Sequence, residues 1–207
     1  MLRKSLYILG YSGHAYVVAD AALSSGVELN GYFDHEENLE NPYNLKFCGD
    51  ENQVDINSIV GDSFVFPAVG NAPLRKKMIA FFTEKKLSQT AILHTKSIVS
   101  KHSEIGLSTL IGPGVIVNSR AKIGVGCIIN SAAVIEHECL IANYTHIAPG
   151  AVLAGNVQVG TSSFIGANAV VKQGVKIGDN VTIGAGTVVL NDVPDGSIMV
   201  GNPAKNI

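Results

Sequence analysis

The sequence predicts two architectures in one chain: an α/β N-terminal domain around a small parallel sheet, then an all-β parallel β-helix of hexapeptide repeats. Three observations carry this. Every sixth residue from Ile105 to Val189 is Ile, Leu or Val, without a miss or an insertion. A second series, four residues after each of these, holds only small or β-branched residues, Cys127, Ala133 and Cys139 among them. Before about residue 90 that period is absent, and short apolar runs alternate with helical patterns.

A period of six matches neither the helical ~3.6 nor the strand period of ~2. It fits a solenoid of short strands joined by tight corners. The aliphatic residue points into the prism and the small residue fills the space near the corner. Glycine often follows the aliphatic residue, as at Gly106, Gly124 and Gly166, and is expected there to permit the turn. Three faces of six residues make a coil of 18, so Ile105 to Pro194 holds five coils. Equivalent residues then stack about 4.8 Å apart along the axis. Val99 and Leu93 keep the register upstream. Cys127 and Cys139 lie in the inward series and read as packing thiols.

The N-terminal part, residues 1–90, has a different grammar. "SLYILG", "ELNGYFD" and "SFVFPAVG" read as strands. "HAYVVADAALSSG" reads as a helix ending at Gly26, and "NAPLRKKMIAFFTEKK" as a helix with Pro73 near its start. Strand and helix alternate, so a parallel, Rossmann-like sheet follows. Gly10-x-x-Gly13 opens the first helix, where such folds place a phosphate loop. Asp34 closes the second strand, where a ribose-binding acid usually sits. Ser12 stands where the second glycine of the dinucleotide fingerprint would be. The motif alone leaves a dinucleotide, a nucleotide-sugar or a bare turn open.

Composition excludes several classes. Net charge is −2 and 15% of residues are charged, so neither nucleic acid nor an anionic membrane is an expected partner. The basic start with a short apolar run competes as a signal peptide, but the glycine loop ends that run early. The expected location is cytoplasmic. Three cysteines in no redox or metal spacing agree with reduced thiols.

One coil, residues 129–146, stands out: "INSAAVIEHECLIANYTH". It carries Glu136, His137, Glu138 and His146 where neighbouring coils have small residues. His137 lies two positions after Ile135, at a corner, with Ser119 one coil before and Gly155 one coil after. Gly155 would let a ligand approach the backbone and leave its N–H available. His137 and His146 are half a perimeter apart, so they share a site only if a neighbouring subunit supplies one. A zinc site is not expected, because His94, His102, His137 and His146 lack ligand spacing.

With these segments in hand, the chain resembles the bacterial sugar acyltransferases that join a small Rossmann-like domain to a hexapeptide β-helix. This family includes the bacillosamine-pathway N-acetyltransferases, the perosamine N-acetyltransferases and the sialic-acid O-acetyltransferases. The matching stretches are "ILGYSGHA", "YFDH", "AVGNAPLRKK", "NSAAVIEHECLIANYTHIAPGAVLAGNVQVG", "FIGANAVV" and "VGNPAK". The loop at residues 36–50 has no clear counterpart.

The resemblance implies a left-handed β-helix, a homotrimer with active sites between subunits, and acetyl-CoA as co-substrate without a metal. It implies His137 as general base and Glu138, rather than Glu136, as the acid supporting it. His146 resembles the residue at the thioester; Gly155, Ala167 and Ala185 match contacts to the pantetheine arm. Ser12, Gly13, His14, Asp34, His35 and Gly70 match a nucleotide-sugar pocket. The expected reaction is N-acetylation of a UDP-4-amino-4,6-dideoxy-N-acetyl-hexosamine. The alternatives are O-acetylation of a sugar of the sialic-acid type, and a non-catalytic sugar-nucleotide-binding β-helix. Lys172 and Lys176 suit either the phosphates of CoA or a solvated face.

Overall fold

A computed structural model describes residues 5–207; the basic start at Arg3 and Lys4 lies outside them. The chain divides into two compact units between Thr95 and Lys96.

The first unit contains β1 (Ser5–Leu9), α1 (Gly13–Ser24), β2 (Glu28–Phe33), α2 (Ile56–Val60), β3 (Phe64–Pro67), α3 (Ala72–Glu84) and β4 (Ser88–Gln89). Its sheet has the order β2-β1-β3-β4, all parallel. The central strands are apolar on both faces, and Leu6, Ile8, Leu9, Val65 and Phe66 are buried, as covered parallel strands must be. Gly10 turns the chain from β1 toward α1 at φ +84°, and a Cβ there would meet Val69 Cγ1 at 2.7 Å. The Asn71 side chain accepts the Leu74 N–H and caps α3, with Pro73 in its first turn. Helix α2 and strand β4, which the sequence reading did not include, are too short to show a period.

The segment after β2 is stitched back by tyrosines. Tyr11 and Tyr32 stack with centroids 4.0 Å apart. Tyr11 OH donates to Asn41 Oδ1, Tyr16 OH to the Glu40 carbonyl and Tyr43 OH to Asp20 Oδ1. Phe47 bridges to Tyr32 in parallel. The 36–50 segment is thereby a braced flap of defined shape.

The second unit is a β-solenoid of two-residue strands. Residues pair with those 18 positions on: Ile123 with Ile141, Ile129 with Ile147, Ile135 with Leu153. The aliphatic series from Ile111 to Val189 and the small series from Thr109 onward are buried. Within the small series, Thr109, Thr145 and Ser163 donate to carbonyls of Gly124, Gly160 and Gly178, and the Cys127 and Cys139 thiols donate likewise to Ala142 and Ala154. These core donors satisfy corner carbonyls that would otherwise be buried unpaired.

Strand Ile98–Val99 pairs with Ile116–Val117, so the register that Val99 keeps upstream of Ile105 gives the solenoid about six turns. Two details differ from expectation. Beyond Val189 the repeat shortens: Ile183 pairs with Met199 and Ile177 bridges to Val193. Val193 therefore takes an aliphatic place rather than a small one. The glycines after the aliphatic residues also do not make the turn. The left-handed residue is the third after each aliphatic, as at Ser108, Arg120, Ala132 and Glu138. Gly106 and Gly166 are needed for close stacking: a Cβ on Gly106 would stand 2.5 Å from the Gly124 backbone.

The outer faces differ sharply. One presents Glu104, Lys122, Leu140, Gln158 and Lys176 in register. Another presents Ile98, Ile116, Val134, Val152, Val170 and Val188, an aliphatic column with no polar member. Among the described residues no helix is long and apolar enough to cross a membrane.

Candidate active site

His137 sits in the corner after strand Val134–Ile135. Its ring lies over Gly155 of the next coil, where a Cβ would stand 2.6 Å from both Cε1 and Nε2. The other edge of the ring turns to Glu138, with Nδ1 3.5 Å from Oε2. Glu138 Oε1 is 3.0 Å from Arg120 NH1, and Arg120 stands one coil earlier at the same left-handed corner position. Glu136 is used locally: its Oε2 accepts the His137 backbone N–H. Of the two acids, Glu138 is the one beside the imidazole ring.

At one corner of the solenoid, the N–H two residues after the aliphatic position is bound by an acid or amide from the next coil. Asn143 Oδ1 accepts from Val125, Asp179 from Thr161 and Asp195 from Asp179. At the His137 corner Gln173 holds that place above Gly155, and the Ser119, Gly155 and Gln173 N–H groups find no acceptor among the described residues. A buried, unpaired backbone N–H is rare.

The other predicted residues fall at a different corner. His146 projects from strand His146–Ile147, with Nε2 3.3 Å from Asn130 Nδ2 and its ring edge-on to Phe164 at 5.2 Å. Ala167 and Ala185 lie 18 residues apart at the corner ending that same sheet. The solenoid thus groups His137, Glu138 and Gly155 at one corner, and His146, Ala167 and Ala185 along another. It does not bring the two groups together within one chain. Cys139 is buried, and burial raises its thiol pKa, which disfavours the thiolate a nucleophile needs.

In the first unit a cavity of about 440 Å³ opens beside the β1–α1 turn. Ser12, Asp34 and His35 line it, with Glu51, Lys77 and Phe81; Gly13, His14 and Gly70 are not in its lining. Asp34 is already engaged: Oδ2 accepts the Tyr11 N–H and Oδ1 the His35 N–H. The exposed His35 ring pairs with Asp50 at 3.2 Å, and that bond raises its pKa. The Gly70 carbonyl accepts from the buried Arg75 guanidinium. Burial, then the Arg75 charge, lowers the pKa of His14 to about 4, and its buried Nε2 has no partner among the described residues.

The sequence reading did not include Arg120 or Lys77. Counting back 18 from Glu138 reaches Arg120; for Lys77 the helical pattern gave no signal. Among the described residues no group of His, Cys, Asp and Glu could hold a metal ion.

Residues 5–81 match the PglD N-terminal domain family, and residues 138–173 and 156–191 the bacterial transferase hexapeptide family of six repeats. The fold is similar to that of perosamine N-acetyltransferase from Caulobacter crescentus, a histidine-to-asparagine variant in complex with CoA and GDP-perosamine. Identity there is 31%, coverage 98% of this chain and 96% of that one, and the TM-score 0.93. It is also similar to the acetyltransferase domain of PglB from Neisseria gonorrhoeae in complex with acetyl coenzyme A. That match has 29% identity, coverage of 99% and 100%, and a TM-score of 0.92. None of the curated proteins matches the chain.

Proposed function

The chain belongs to the PglD-type sugar N-acetyltransferases with hexapeptide repeats, and on that premise we propose that it transfers acetyl from acetyl-CoA to the amine of a nucleotide-linked amino-sugar. The observation that carries the reading is the corner of His137, Glu138 and Gly155: an imidazole over an unpaired backbone N–H.

The roles follow from the geometry. Glu138 faces Nδ1, which favours the tautomer with the proton on Nδ1 and the lone pair on Nε2. Nε2, over Gly155, takes the proton from the sugar amine as nitrogen attacks the thioester carbonyl. The Gly155 N–H receives the oxyanion. When the carbonyl re-forms, the C–S bond breaks, the thiolate of CoA departs and the amide remains. The acetyl group arrives activated, so no acyl-enzyme is required and the buried Cys139 has no part.

His146, Ala167 and Ala185 would hold the pantetheine arm at the second corner. Two corners that one chain keeps apart can meet in an assembly, and the aliphatic column from Ile98 to Val188 offers a face for it. A homotrimer with shared clefts fits both observations. The cavity beside Asp34 and Lys77 is assigned to the nucleotide. A UDP-4-amino-4,6-dideoxy sugar is the expected acceptor, and a GDP-linked amino-sugar its close rival.

The test is thiol release from acetyl-CoA with UDP-4-amino-sugar, GDP-perosamine and sialic acid as separate acceptors. Turnover with a nucleotide-linked amine supports the reading. Turnover with sialic acid alone overturns it in favour of O-acetylation, and no turnover with any acceptor returns the chain to a binding role.

A further inference from the structure

We propose that Arg120 is a positioning residue for the acetyl transfer, acting through Glu138 on His137. This rests on the reading of His137 as general base.

The Glu138 carboxylate is held from two sides: one oxygen is 3.0 Å from Arg120 NH1, the other 3.5 Å from His137 Nδ1. Arg120 is largely solvent-exposed and Glu138 about half so, with side-chain exposures of 76% and 43%. A pair this exposed adds little to stability. Holding a carboxylate rotamer against an imidazole is a different task, and a planar guanidinium suits it better than a lysine ammonium. The solenoid supplies the geometry, because Arg120 and Glu138 occupy equivalent left-handed corner positions 18 residues apart, at φ 64° and 62°. Their side chains leave adjacent rungs in the same direction.

Arg120 also sets how much of the Glu138 charge reaches the ring. The groups around His137 are Glu138 at Nδ1, Glu136 at its own backbone N–H, and Arg120 beyond Glu138. His102 lies one coil below Arg120, and Lys122 is paired with Glu104 at 2.8 Å. Of these, only Arg120 shares the carboxylate that faces the imidazole. With Arg120 neutralised, that carboxylate stabilises the imidazolium without opposition. Protonated His137 cannot act as base, so activity on the acid side is then lost at a higher pH.

The experiment is a pH profile of kcat/KM for the wild type, Arg120→Gln, Arg120→Lys, Glu138→Gln and the Arg120→Gln/Glu138→Gln double variant, with His137→Ala as control. Arg120→Gln is expected to lower kcat about tenfold and move the acid limb upward by roughly half a pH unit. Arg120→Lys should restore the limb but only part of kcat. In the Glu138→Gln background, Arg120→Gln should have no further effect, since its route to the ring is gone. Additive losses would mean that Arg120 acts on substrate directly and would overturn the proposal, as would an unshifted limb with full kcat. An active His137→Ala protein would instead remove the general base itself. Should Arg120→Gln fail to fold, Arg120→Lys and the Glu138→Gln background with Lys at 120 carry the same comparison.

Discussion

The His137 ring and the Gly155 backbone are in direct register, one coil apart, with no room for a side chain between them. A methyl group at 155 would displace the ring. Gly155 does not have a positive φ, so alanine fits the backbone, and the half-exposed ring can swing into solvent. Gly155→Ala should therefore fold with a near-native Tm yet lose kcat by ~10²-fold, the scale of a small misplacement of a catalytic group. Thermal unfolding beside steady-state kinetics checks both halves; unchanged kcat would separate the ring from the chemistry.

Removing the proposed base is the blunter test. His137→Ala should lower turnover by ~10²-fold or more while circular dichroism stays that of the wild type. KM for acetyl-CoA should change little, because the residues proposed to hold it, His146, Ala167 and Ala185, lie on another corner.

Cys139 offers a negative control at the same coil. Its thiol is a buried donor to the Ala154 carbonyl, in the role serine and threonine play in other coils. Cys139→Ser should keep both fold and activity, and thiol-directed reagents should leave the native enzyme active. Inactivation of the folded protein by such a reagent at Cys139 would contradict this placement.

The aliphatic column predicts assembly. Val134→Asp with Val152→Asp puts two like charges on adjacent rungs of that face. Light scattering is expected to find a trimer for the wild type and a monomer for the double variant, with activity lost alongside. An active monomer would refute the shared cleft.

His14 gives the first unit a pH dependence. Its folded pKa, about 4, lies below the unfolded value of 6.5, so protons bind the unfolded chain more readily. The neutral ring's stability contribution is present above pH 6.5 and is lost as pH falls toward 4. The protection factors of the Gly13–Ser24 amides, taken relative to the intrinsic exchange rate at each pH, should fall over that window, and His14→Phe, which cannot be protonated, should flatten the response.

The solenoid was legible because its signal repeats. One miscounted residue in a lone strand would pass unnoticed, but many consecutive aliphatics at a fixed interval allow a single register, and that register placed His137 beside Gly155. The turn itself was less legible. The left-handed position is filled by Ser, Arg, Ala, Glu, Tyr, Asn and Gly alike, so no residue type marks it. Val193 was misplaced because the last coil drops two residues without any punctuation beyond Pro194. In the first unit, strands and long helices declared themselves, whereas the use of Asp34 to bind Tyr11 and His35 backbone depends on a fold-back that local pattern does not encode.

The fixed coil length also governs how such a protein can change. A single inserted residue between Glu104 and Val189 would turn every downstream inward aliphatic to the outside, so that half of the chain has a reading frame much as a gene does. Point substitution can alter what each rung displays, but length cannot drift there. The tyrosine-braced flap after β2 is under no such rule, and new acceptor preferences are expected to arise by lengthening or trimming it.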